Sequence, residues 1–284
     1  MGPARETRRE VLGSGASVSR MSATDAARDD ADLAARLASG AGERLLQVRA
    51  GGLEGAALRA EGDRVAHDLL LAALAEQRPA DAVLSEEGRG EYGRAGVGRL
   101  DADRVWIVDP LDGTREFGEP PREDWAVHVA LWERGADPGE GPAADPAGRL
   151  TAGAVALPAL GLTLHTGVPP ALPEVERRPR LAVSRSRPPA VAERIAAALG
   201  AELVPMGSAG AKAMSVVRGL ADAYVHDGGQ FEWDSAAPVA VARASGLHAS
   251  RLDGSPLRYN RPDVSLPDLL VCRPELAAAI LALT

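Results

Sequence analysis

With 284 residues, 45% hydrophobic and 25% charged, the chain can bury a core in one large domain or two modest ones, which excludes a disordered protein. Its net charge of −8 opposes binding to nucleic-acid polymers and anionic membranes, and obliges an enzyme for anionic substrates to carry cations or a local basic patch. A single cysteine, Cys272, excludes an intrachain disulfide, and no apolar run reaches the roughly 18 residues that span a bilayer.

Residues 1–25 are rich in Gly, Ser, Arg and Ala without apolar periodicity, and a disordered tail is expected there. They contain arginines but no apolar h-region, so no signal peptide is expected and the cytoplasm is the default location. A helical pattern opens at Asp29 and Asp30, with Leu33, Leu37, Leu45, Leu46 and Val48 on its apolar side. Residues 51–62 read as a Gly-rich connection, and Asp63 as the opening residue of a second helix that ends near Arg78.

Short strands are predicted at Ala82–Ser85 and Arg104–Val108. Residues 125–132 alternate, with Trp125, Val127, Val129 and Leu131 on one face, as in a half-buried strand. His128 lies between them and reads as a satisfied core histidine. Residues 135–149 form a Gly/Pro/Ala/Asp loop, and strands recur near Ala152–Leu157 and Leu162–His165. Four prolines in residues 166–180 suggest a linker. Beyond it come a strand at Leu181–Ser184, a helix at Pro189–Leu199, a strand at Glu202–Pro205, a helix at Ala211–Gly219 and a strand at Asp222–Val225. A helix at Asp234–Ser245, a strand at Leu269–Cys272, where Cys272 reads as an inert buried thiol, and a closing helix from Pro274 complete the chain. The expected architecture is mixed α/β in two sub-domains, an α+β metal-binding unit over residues 29–165 and an α/β substrate unit over residues 181–284.

Four acidic elements carry the chemistry. Asp109-Pro110-Leu111-Asp112-Gly113-Thr114 places two carboxylates three apart across a proline, directly after a buried strand. Proline cannot extend the sheet, Gly113 permits a tight turn, and Thr114 is a good helix N-cap, so the pair can face hard divalent cations and a phosphate. The same turn can equally be strand-ending Asp chemistry. Ser85-Glu86-Glu87-Gly88 leaves another strand, and its acids can be merely solvated. Asp234, in Glu232-Trp233-Asp234-Ser235-Ala236-Ala237, and Asp63 can each be only a helix cap.

Together, in this order, these elements resemble the inositol monophosphatase-like superfamily. Its pattern is an Asp at a helix start, a Glu-Glu strand exit, an Asp-Pro-[Leu/Ile]-Asp-Gly-Thr turn and a late Trp-Asp-x-Ala-Ala, and the likeness runs from residue 29 to 284. Arg104–Phe117, Val183–Pro189 and His248–Leu257 are most similar to its actinobacterial CysQ branch. One departure is Arg59-Ala60-Glu61-Gly62 before Asp63, where the family has Val-Thr.

The resemblance implies a layered αβαβα sugar-phosphatase-like fold. It also implies a Mg²⁺-dependent phosphomonoesterase with two or three ions, inhibited by lithium. Glu86, Asp109 and the Leu111 carbonyl would hold one ion, and Asp109, Asp112 and Asp234 a second, with a third near Glu86. Thr114 and Asp63 would orient or deprotonate the attacking water, with Glu86 also catalytic, while the Gly113 and Thr114 amides hold a phosphate oxygen. Ser184, Arg185 and Arg187 would hold a second phosphate, though a solvated basic turn is the plainer reading. Gly207 and Ala209 would let the ligand approach the backbone, Asp227 would contact a substrate hydroxyl, and Lys212 is equally a helix-surface charge or a substrate contact.

The CysQ likeness implies removal of the 3′-phosphate of 3′-phosphoadenosine 5′-phosphate to give AMP, in sulfur assimilation. Inositol-1-phosphate or fructose-1,6-bisphosphate phosphatase is the alternative within the superfamily. The expected partner is a small phosphorylated metabolite rather than a nucleic acid polymer or a membrane, and a homodimer is compatible with the sequence. A catalytically dead relative would have lost a metal carboxylate, and none is missing. There is no ligand set for a zinc or cysteine hydrolase and no GxSxG motif.

Overall fold

The structure is a computed structural model that describes Gly2 and residues 23–88, 98–135, 147–174 and 178–284. Most of the expected N-terminal tail, the centre of the 135–149 loop and part of the 166–180 linker lie outside the described residues.

Two long helices come first, α1 (Ala23–Ala50) and α2 (Gly55–Gln77). Strands β1 (Ala82–Ser85) and β2 (Arg104–Asp112), the short helix α3 (Thr114–Phe117), and strands β3 (Ala126–Arg134), β4 (Gly148–Leu157) and β5 (Leu162–His165) follow. They form a sheet in sequence order, β1 parallel to β2 and the rest antiparallel. Strand β6 (Arg180–Ser184), helix α4 (Ala190–Leu199), strand β7 (Glu202–Met206), helix α5 (Ala209–Val217), strand β8 (Ala223–Phe231) and helix α6 (Glu232–Ala244) come next. Strands β9 (His248–Ser250) and β10 (Ser265–Cys272) and helix α7 (Pro274–Leu281) end the chain, and the second sheet runs β7-β6-β8-β10-β9.

Side-chain alternation along each strand assigns the layers. Trp106, Val108, Val127, Val129 and Leu131 pack against Leu33, Leu45 and Leu70 of α1 and α2. Their neighbours Val105, Ile107, Ala126 and Ala130 point the other way, toward Met214 of α5 and Val239 of α6. That same core reaches Tyr224 and Val271 of the second sheet, whose opposite face, with Leu181, Val225 and Leu270, packs on Ile195 of α4 and Ile280 of α7. The layers are therefore helix, sheet, helix, sheet, helix, the αβαβα stack expected from the family likeness. Each fully buried aliphatic side chain in these cores contributes about 1.5–3 kcal/mol.

Several boundaries differ from expectation. Helix α1 starts at Ala23, inside the segment expected to be tail. Helix α2 starts at Gly55, so Asp63 sits mid-helix rather than at its opening. The Gly-rich stretch lowers helix propensity, but Gly62 has a tertiary role. A Cβ there would stand 2.6 Å from Phe117 Cε1 and 3.0 Å from Leu111 Cδ2, so its absence lets α2 lie against α3. Helix α6 begins at Glu232, which makes Asp234 its third residue, and its carboxylate accepts the Phe231 N–H at 2.7 Å. Strand β9 falls at His248–Ser250, too short to leave a periodic pattern.

Candidate active site and metal centre

An uninterrupted strand would put residues three apart on opposite faces. The β2–β3 register runs Asp109↔His128 and then Asp112↔Ala126, so β2 carries one extra residue at Pro110-Leu111. Proline has no N–H to donate, and the bulge it occupies turns both aspartates to the same side. The Leu111 N–H closes the turn on Asp109 Oδ1 at 3.1 Å, and Gly113, at φ 84°, takes the left-handed conformation that ends it.

Asp234 arrives from the first turn of α6. Oxygens of Asp109, Asp112 and Asp234 lie within 4.8 Å of one another. Glu86, one residue past β1, stands beside this trio, near enough for its carboxyl and that of Asp109 to influence each other. Desolvation and then the neighbouring charges of Asp234 and Asp112 push Glu86 up to about 7. Desolvation, then Asp112, raises Asp234 to about 7, and burial followed by Glu86 holds Asp109 well above the usual carboxylate range. Asp112 goes the other way. Burial opposes its charge, but His128, Ser208 and Gly210 outweigh it and hold the carboxyl down at about 2. Its Oδ2 accepts from Ser208 Oγ at 2.5 Å and the Gly210 N–H at 2.6 Å, and its Oδ1 from the Ala209 N–H at 3.1 Å.

Thr114 is the first residue of α3 rather than its N-cap, which is Gly113. Its hydroxyl lies 3.3 Å from Asp63 Oδ1 and 3.1 Å from the Leu111 carbonyl, so Asp63 reaches the turn from the middle of α2. Desolvation and then Glu87 raise Asp63 to about 6.

A cavity of about 240 Å³ opens beside Asp112 and Asp234. Gly113, Ser184, Arg185, Arg187, Gly207 and Ala209, all named from sequence, line it. Arg185 is already engaged: its Nε donates to Glu116 Oε1 at 2.5 Å and its NH2 to Glu119 Oε2 at 2.8 Å. Arg187 is exposed, with its backbone N–H on Ser184 Oγ. Gly207 is glycine because a Cβ would stand 2.3 Å from the buried Glu116 side chain. Asp227 does not line the cavity. Strand alternation turns it away, and Tyr224 and His226, on the other face of β8, line the wall instead. Lys212 is no surface charge: it is buried, and its ammonium donates to the Gly207 and Ser208 carbonyls.

The profile of the inositol monophosphatase family matches residues 22–284. The chain belongs to the inositol monophosphatase family. A Mycobacterium tuberculosis protein named 3′-phosphoadenosine 5′-phosphate phosphatase is 54% identical over 249 residues, covering 85% of this chain and 88% of that protein. The 3′(2′),5′-bisphosphate nucleotidase CysQ of Escherichia coli K12 is 31% identical over 208 residues, covering 69% of this chain and 77% of that one. The crystal structure of CysQ from Bacteroides thetaiotaomicron superposes with a TM-score of 0.67 at 27% identity, covering 87% and 97% of the two chains.

In this inositol monophosphatase family member, the residues that sequence reasoning left out are those that hold other residues. Ser208, Gly210 and His128 all meet Asp112, and Glu116 meets Arg185. The one sequence signal for Ser208 and Gly210 was the small-residue run from Gly207 to Ala211, which tells of close approach without naming what approaches. Among the described residues, no helix is long and apolar enough to cross a membrane.

Proposed function

We propose that this chain is a magnesium-dependent phosphomonoesterase that removes the 3′-phosphate of 3′-phosphoadenosine 5′-phosphate, giving AMP and phosphate, in sulfur assimilation. The observation that carries this reading is the likeness to the Mycobacterium tuberculosis phosphatase over most of both chains.

The donor set fits a hard divalent cation. Asp109, Asp112, Asp234 and Glu86 offer only oxygens, crowded and buried or half-buried so that three of the four carboxyls are driven toward the protonated form. With the Leu111 carbonyl they would hold two or three Mg²⁺. When bound, Mg²⁺ neutralises this cluster, lowers the pKa of water and offsets charge on the leaving oxygen.

The chain's own residues supply the rest. Thr114 Oγ1 orients the attacking water and Asp63, raised to about 6, takes its proton. Glu86 holds the water's other side. The Gly113 and Thr114 N–H groups receive a phosphate oxygen. Arg187, beside Ser184, is free to meet the 5′-phosphate, while Gly207 and Ala209 keep the cavity open to the nucleoside.

Inositol-1-phosphate or fructose-1,6-bisphosphate hydrolysis would use the same centre and differ in the remote contacts. Product analysis tests the proposal. Incubation of 3′-phosphoadenosine 5′-phosphate with Mg²⁺ should yield AMP and phosphate in equal amounts, and Asp109→Asn or Asp112→Asn should lower kcat by several orders of magnitude. Adenosine 3′-phosphate as product, or near wild-type turnover in either variant, would refute it.

A further inference from the structure

His128 is fully buried on β3, on the face turned toward α5 and α6, where it meets the two segments that bring Asp109, Asp112 and Asp234 to the cluster. Asp109 is its register partner across the β2–β3 ladder. Its Nδ1 lies 3.0 Å from the Trp233 carbonyl, one residue before Asp234, and can only donate there. Its Nε2 lies 3.1 Å from Asp112 Oδ2. That is a charge contact rather than an aligned hydrogen bond, and Nε2 has no hydrogen-bond partner among the described residues.

The surrounding chain is shaped to admit this ring. A Cβ on Gly210 would stand 2.1 Å from His128 Nε2, so the residue at 210 must be glycine if the imidazole is to reach Asp112. Gly210 in turn gives its N–H to the same Asp112 oxygen. A core histidine kept only for packing needs no cleared path to a carboxylate.

We infer that His128 is the positioning residue of the metal centre: it ties the Asp109–Asp112 turn to the start of α6 and so sets the spacing between Asp112 and Asp234. This rests on the reading of those carboxylates as Mg²⁺ ligands. Groups that orient metal ligands from behind affect metal affinity by about 10–100-fold when removed. His128 touches no ligand-binding face of the cavity, so substrate affinity at saturating Mg²⁺ should stay as it is.

His128→Phe keeps the ring and removes both nitrogens. Mg²⁺ titration of the full-length protein, followed by thermal shift and in parallel by phosphate release, should show the half-saturating Mg²⁺ concentration raised at least tenfold with KM unchanged. His128→Gln keeps one donor and should fall between the two, which preserves the test if the phenylalanine variant does not fold. A lower melting temperature in either variant with the wild-type Mg²⁺ midpoint would mean that His128 is structural packing and would overturn the inference. Wild-type protein that shows no Mg²⁺ midpoint at all would instead overturn the metal-dependent reading beneath it.

Discussion

Arg185 Nε donates to Glu116 Oε1 at 2.5 Å across the gap between β6 and α3, and Glu119 takes the other end of the same guanidinium. The two arginines that look alike in Ser184-Arg185-Ser186-Arg187 therefore have different work. Arg185 fastens the second sheet to α3, and Arg187 faces the cavity. Arg187→Ala should lower kcat/KM for 3′-phosphoadenosine 5′-phosphate about tenfold, the equivalent of about 1.4 kcal/mol, and leave inositol-1-phosphate nearly unchanged. Arg185→Ala should lower all substrates alike and cost about 1–3 kcal/mol of stability, because buried Glu116 loses its partner. Rates on both substrates together with urea unfolding decide it; a selective nucleotide defect in the Arg185 variant would reverse the assignment.

In the proposed mechanism Thr114 and Asp63 act on the proton rather than on the cation. Thr114→Val and Asp63→Asn should each lower kcat by about 10²–10⁴ while the Mg²⁺ midpoint holds. Metal titrations of both variants check this, and a shifted midpoint with recovered kcat would make them metal ligands instead.

Acidity and metal are linked through the cluster. In the unfolded chain the carboxyls of Asp63, Glu86 and Asp234 titrate near 4, but folding raises them to about 6, 7 and 7. Between those values the folded state holds more protons, so stability falls as pH rises from about 4 to about 7. In chelator the melting temperature should drop between pH 5 and pH 8, and added Mg²⁺ should restore more of it at pH 8 than at pH 5. Asp112, held down at about 2, does not titrate in this window. A melting temperature that climbs over the same range in chelator would contradict the assignment.

Gly62→Ala would push a methyl into the Phe117 ring and toward Leu111. Overpacking of this kind costs about 1–3 kcal/mol, and here it would also displace the Asp109–Thr114 turn. Chemical denaturation should show the loss along with reduced kcat. Wild-type stability would mean that α2 shifts freely.

What the sequence disclosed follows from the range of each interaction. The alternation of Val127, Val129 and Leu131 reports a local period, and the structure turns that face to α1 and α2, but the strand is buried on both faces rather than half-buried because α5 and α6 cover the other. The Asp109–Thr114 turn is legible because proline and glycine constrain the backbone on their own. The start of α2 was not legible, since Gly62 reads as a break until Phe117, far along the chain, is seen against it. Arg185 reads as a free cation until Glu116 is beside it, and His128 as core until Asp112 and Trp233 close on it. Asp227 and His226 are adjacent in sequence, and strand register alone decides which of them faces the cavity.

Phosphate release by the wild-type protein from 3′-phosphoadenosine 5′-phosphate, inositol-1-phosphate and fructose-1,6-bisphosphate, each with Mg²⁺ and with EDTA, is the most direct measurement. The nucleotide should be hydrolysed with the highest kcat/KM, and all activity should vanish in EDTA and return with Mg²⁺. Full activity in EDTA, or a higher kcat/KM for either sugar phosphate, would contradict the account.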